Sequence, residues 1–251
     1  MNEFDNYNNG GYGQQPPVFR GTGAAAIESE RMLSSYVSRV MRRVFGKMFL
    51  GILVTAVVSL AMVSNTAALQ FLFTHSWLMW GLLIAEFGVV IGISAGINKL
   101  SSPAASALFY LYAVLTGLSL TPIFLVYTGA AIVKTFFITS AVFGVMAAYG
   151  YLTKRDLTRM GSILFMCLIG LIVVTIVNIF LASTWLDWVI SLAGVAIFIG
   201  LTAWDTQKIK RMAEETDSSL VGKLATIGAL ELYLDFINLF LYLLRIFGRN
   251  N

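Results

Sequence analysis

Charge is what this chain has least of. Only 12% of its residues are charged and 58% are hydrophobic, against about 25% charged in ordinary soluble domains. The chain therefore lies far from the composition of a soluble fold. There is one cysteine, Cys167, and one histidine, His75. A single thiol excludes a disulfide framework, and a single histidine beside Ser76 and Trp77 is too little for a membrane zinc hydrolase. His75 reads as an interfacial residue.

Long apolar runs are abundant instead. Seven segments approach the roughly 20 residues needed to cross a bilayer: 44–64, 77–96, 105–127, 131–151, 162–183, 186–205 and 225–247. The fold class predicted is an all-α membrane protein with seven transmembrane helices, the lipid bilayer being its first partner. Residues 1–23 are polar and Gly/Asn/Gln-rich, which predicts a disordered cytoplasmic tail. No cleavable signal pattern opens the chain. Residues 24–43 predict an amphipathic helix leading into the membrane, with Ile27, Met32, Tyr36, Val40 and Val44 near one face. The seven-helix domain follows over 44–248.

The net charge of +4 does not point to nucleic acid, because the basic residues are spread among the connections. With seven spans and a cytoplasmic N-terminus, all of the 17 Lys and Arg residues except Lys134, Arg245 and Arg249 fall on the inner side. That positive-inside bias puts the C-terminus outside. The one long connection, 206–224, is strongly charged (TQKIKRMAEETDSSLVGK from 206).

Within the spans, Gly88, Gly92 and Gly96 form a four-residue ridge that predicts close helix packing. Glu86 projects away from it. Pro122 removes a backbone donor and predicts a kink in the third span. Asn178 needs a partner, and a hydrogen bond to another helix is the usual answer.

Two aspartates dominate the functional reading. Asp205 closes LAGVAIFIGLTAWD and Asp235 lies inside LELYLDFINLFLYLLRIFG. A carboxylate at bilayer depth costs several kcal/mol and is seldom kept without a task. Stepping about 100° per residue from Glu231 at zero, Asp235 falls near 40°, Asn238 near 340°, Tyr242 near 20° and Arg245 near 320°. That polar stripe must face protein or a wet cavity, which places the last helix at the centre with six around it. If Asp205 and Asp235 are close, they cannot both ionise cheaply. Protonated, the pair is bridged by a hydrogen bond. Deprotonated, it repels, recruits Lys208, or binds a metal, and carboxylate oxygens suit Ca²⁺ better than Zn²⁺. The alternative is a buried ion pair that only fixes helix packing. An intramembrane aspartyl protease also uses two membrane aspartates, but its Gly-x-Gly-Asp motif is absent. No enzymatic activity and no cofactor are expected.

LELYLDFINLFLYLLRIFG, FIGLTAWDTQKIK and the IAEFG of the second span, with LTGLSLTPIF and TIVNIFLAS, closely resemble the transmembrane Bax inhibitor motif family, particularly its bacterial members. The resemblance covers roughly residues 35–248. It implies a seven-helix fold with a central last helix and a pH-sensitive Ca²⁺ leak. It carries the family's pH-sensing aspartates onto Asp205 and Asp235, its acidic neighbour onto Glu231, and its second-helix glutamate onto Glu86. Some relatives latch the pair with an arginine at the inner end of the second helix. Here Ile97-Asn98-Lys99 offers only Lys99.

Two functions follow from different classes. One is a passive calcium leak, with cations attracted by Asp205, Asp235 and Glu231, and with protonation and helix movement setting the closed state. The other is a regulator that binds membrane-protein partners, favoured by the N-terminal tail. A bacterial inner membrane is the expected location.

Overall fold

The computed structural model describes residues 23–248. The tail expected over 1–23 lies outside the described residues except for Gly23. Among the described residues there are helices and no strands. They are α1 (Gly23–Ser64), α2 (Thr66–Thr74), α3 (Ser76–Gly96), α4 (Ser102–Ser119), α5 (Ile123–Val126), α6 (Gly129–Leu152), α7 (Thr158–Leu181), α8 (Thr184–Glu215) and α9 (Val221–Phe247), with one 3₁₀ turn at Ser218–Leu220. Among the described residues, seven helical stretches are long and apolar enough to cross a membrane.

The chain divides into two units, residues up to Tyr36 and residues from Val37 onward. In the first, Ile27, Met32 and Leu33 are exposed. In the second, Val40 and Val44 are buried, so the apolar face expected over 24–43 is covered only in its later part. The amphipathic segment and the first span are one continuous helix.

Short polar side chains start the helices. Asn65, Ser101, Thr128 and Ser183 each accept a hydrogen bond from a backbone N–H three residues on, capping α2, α4, α6 and α8. Asn178 does not reach another helix as expected. Its Oδ1 accepts from the Ser183 N–H at 3.2 Å, beside the left-handed Ala182 that ends α7. The turn is tight enough that the local backbone donor is its nearest partner. Pro122 breaks the third span outright, α4 ending at Ser119 and α5 starting at Ile123.

Two boundaries differ in a way that matters. The sixth span, expected over 186–205, runs on to Glu215, and the seventh begins at Val221. Most of the charged stretch 206–224 is therefore helix, with Thr206, Gln207, Ile209 and Ala213 buried and Lys208, Lys210 and Arg211 half-buried among them. The ridge of Gly88 and Gly92 meets nothing within 4 Å, and Gly96 touches only Leu100. Among the described residues no helix packs on it. The close approach is at Gly150 on α6, where a Cβ would collide with the backbone of Ala203 on α8.

The most apolar stretch of α9 is 61% buried, against 6% for α3 and for α7. Lipid is as apolar as leucine, so packing and hydrogen bonds hold α9 rather than a hydrophobic drive. Tyr233 Oη and Thr55 Oγ1 meet at 2.6 Å, and Thr55 also donates to the Ala113 carbonyl at 2.8 Å. Lys47 Nζ donates to Ser106 Oγ and Thr226 Oγ1, both at 2.6 Å. These bonds tie α1, α4 and α9 together.

A carboxylate-lined cavity between α7, α8 and α9

Antiparallel α8 and α9 bring the two aspartates into one cavity. Asp205 is about 15 Å from the end of α8 and Asp235 about 21 Å from the start of α9, at 1.5 Å per residue. The extra turns of α8 beyond Asp205 make this possible. Both side chains are buried, and they stand within reach of a side-chain hydrogen bond to each other. Two carboxyl groups can share such a bond only if one of them carries a proton.

Asp205, Lys208, Glu231, Asp235, Asn238 and Tyr242 all line one cavity of about 390 Å³. Phe165, Leu168 and Ile172 of α7 and Phe198, Leu201 and Trp204 of α8 complete its apolar wall. Lys208 Nζ is 2.6 Å from Glu231 Oε1 and 3.8 Å from Asp205 Oδ1. Two carboxyl groups thus stand within 4 Å of one ammonium, and Asp235 lines the same cavity. Asp235 Oδ2 and Glu231 Oε2 are buried without a hydrogen-bond partner among the described residues. A buried acceptor left unpaired is costly, and acceptor-only oxygens are satisfied by a proton, a donor or a cation.

The polar stripe of α9 is brought together for the most part. Asn238 lines the cavity but spends its amide on the Leu234 carbonyl at 2.8 Å. Tyr242 stacks on Phe198 with centroids 5.9 Å apart. Arg245 leaves the cavity and pairs with Asp187 at 3.2 Å. Glu86 is elsewhere too: it is half-buried on α3 and accepts from Ser119 Oγ at 2.5 Å. Lys99 is exposed in the turn after α3 and joins none of the ion pairs among the described residues. Lys208 alone of the two expected latches reaches the aspartates. Among the described residues no group of three or more His, Cys, Asp or Glu is arranged as a preformed metal site.

Several residues that shape this place carry no sequence signal of their own. The Trp204 ring lies against Gly161 of α7, where any Cβ would collide with it, and Lys208 Nζ is 5.2 Å above that ring. Buried Gln207 accepts from the Leu157 N–H at 2.8 Å and donates to the Arg155 carbonyl at 2.7 Å. It fastens the α6–α7 connection to α8. On the same connection Asp156 is held at about 2 by hydrogen bonds from the Thr158 hydroxyl and N–H and by Arg211, 2.8 Å away.

The sequence model of the family described as inhibitor of apoptosis-promoting Bax1 matches residues 37–251. The chain is 49% identical over 211 residues to the inner membrane protein YbhL of Escherichia coli strain K12, covering 83% of this chain and 90% of that protein. It is 44% identical to a protein of Borreliella burgdorferi, covering 84% and 92%. A protein of Caulobacter vibrioides is 36% identical over 100% of this chain and 99% of its own length.

Proposed function

The chain belongs to the family of inhibitors of apoptosis-promoting Bax1, and from that premise we propose that it is a pH-sensitive calcium leak of a bacterial inner membrane. The location follows from the name of the similar E. coli protein. The observation that carries the reading is the meeting of Asp205, Asp235 and Glu231 in one cavity with Lys208, with two of their buried oxygens unpaired.

In this reading the Lys208 ammonium occupies the position a conducted cation takes. A divalent cation would displace it toward solvent and draw on the same carboxylate oxygens. Weak, shared binding by several carboxylates suits passive passage better than a tight cage. The Asp205–Asp235 hydrogen bond holds α8 against α9 through one proton. A change in proton occupancy alters that bond and the charge Lys208 balances, and so the grip between the two helices. Glu86 is a separate carboxylate on α3 that cations would meet apart from this cavity. The last helix serves as the fixed centre about which the other six move, with the N-terminus cytoplasmic and the C-terminus outside. The protein needs no cofactor and performs no chemical step; calcium is cargo.

Purified protein in liposomes loaded with a calcium-sensitive dye tests this. Wild type should admit Ca²⁺, and Lys208→Gln should admit it several-fold faster, because the tethered competitor is gone. Folded protein that moves no Ca²⁺ would overturn the leak and favour a regulator that acts through membrane-protein partners.

A further inference from the structure

Helix α1 carries a second feature, on its outward side and away from the carboxylate cavity. Val37, Val40, Met41, Val44, Met48, Ile52, Thr55 and Ser59 form its buried face. At about 100° per residue, Arg39, Arg42, Arg43, Gly46, Phe49, Leu50, Leu53, Val57 and Leu60 fall on the opposite face. The order along this stripe is three arginines, a glycine and then apolar side chains. All three arginines are exposed, and Phe49, Leu53 and Val57 are 62%, 48% and 56% exposed.

Among the described residues no carboxylate pairs with the cluster. Helix α1 has neither Asp nor Glu from Arg31 to Ser64, and the three arginines join none of the ion pairs among the described residues. Lys47, one turn on, is directed the other way, onto Ser106 and Thr226. At Gly46 a Cβ would meet nothing within 4 Å. A shallow notch therefore separates the arginines from Phe49 and Leu50.

We propose that this stripe binds an anionic phospholipid of the leaflet on the N-terminal side. The headgroup phosphate sits on Arg42 and Arg43 with Arg39 behind it, the glycerol level falls at Gly46, and an acyl chain lies along Phe49, Leu53 and Val57. Guanidinium groups match phosphate oxygens in a two-pronged geometry. From Arg43 to Leu60 the helix rises roughly 25 Å, close to the hydrocarbon thickness a lipid chain and its partner leaflet occupy. A soluble acidic protein would use the arginines but not the apolar stripe below them. The match of charge to headgroup and of depth to chain selects the lipid.

Native mass spectrometry of the full-length protein in detergent, titrated with phosphatidylglycerol or with phosphatidylethanolamine of the same chains, tests the assignment. Each basic residue near an anionic lipid contributes about fivefold in affinity, so Arg39→Gln, Arg42→Gln and Arg43→Gln together should weaken phosphatidylglycerol on the order of a hundredfold. Binding of phosphatidylethanolamine should not change. The three arginines replaced by lysine should keep most of the preference, and Lys154→Gln with Arg159→Gln should keep all of it. Wild type that binds both lipids equally would overturn the proposal, whatever the variants do. So would a glutamine variant that retains wild-type affinity, or a Lys154/Arg159 variant that loses as much.

Discussion

Lys208 is the residue on which the charge balance of the cavity turns. Its ammonium is 2.6 Å from Glu231 and 3.8 Å from Asp205, and it is half-buried over Trp204. Truncating one partner of such a cluster leaves the other charges uncompensated, which is costlier than losing a surface pair. Asp156 is the contrast. Its carboxyl is held down to about 2 by Thr158 and Arg211 and is exposed. With its folded value below its usual one, its contribution is complete above about pH 4 and is lost only as the pH falls through about 2. Asp156→Asn is therefore predicted to leave any response between about pH 6 and about pH 8 unchanged, as dye flux would report. At this scale the sequence was informative where chemistry sets residue type. Glu231, Asp235, Asn238 and Tyr242 announce themselves as polar groups at one angle of an apolar helix, and Asp205 as a carboxylate closing an apolar run. Trp204, Phe198 and Gln207 do not, since an aromatic or an amide near a helix end is ordinary until its contacts are known.

Among the helices, the pairing of α8 with α9 and of α6 with α8 fixes the site. The Asp205–Asp235 meeting depends on α8 running ten residues past Asp205 (to Glu215), an extension that the dense charge of 206–224 conceals. The buried positions Thr206, Gln207, Ile209 and Ala213 are spaced for a helix, but polar members among them hide the stripe from a reading by hydropathy. Glycine was legible as a packing signal and misplaced as to helix. Among the described residues a side chain at Gly88 or Gly92 would meet nothing within 4 Å, whereas Gly150 lets α6 touch the backbone of α8 at Ala203. Gly150→Leu is predicted to destabilise the protein by about 2–3 kcal/mol through overpacking, while Gly88→Leu should change stability by less than about 0.5 kcal/mol. Thermal unfolding in detergent, followed by dye binding, separates the two. Equal effects would mean that the α6–α8 contact is not tight.

For the whole molecule, seven membrane-length helices were readable from length and hydropathy because a bilayer permits little else. The breaks were less so. Pro122 marked one, and the short α2 between the first two long helices was not anticipated. Burial is highest on α9 and lowest on α3 and α7, and α7 forms one wall of the cavity. In the proposed leak, α7 and α8 must separate slightly from α9 for an ion to replace Lys208, and the shared proton sets how readily they do.

Calcium flux into proteoliposomes across about pH 6 to about pH 8, for wild type beside Asp205→Asn and Asp235→Asn, measures that claim directly. The account predicts a flux that varies with pH in the wild type and that either substitution makes flat, since an amide forms the hydrogen bond at every pH. A wild-type flux independent of pH, or a pH dependence that survives both substitutions, would contradict it.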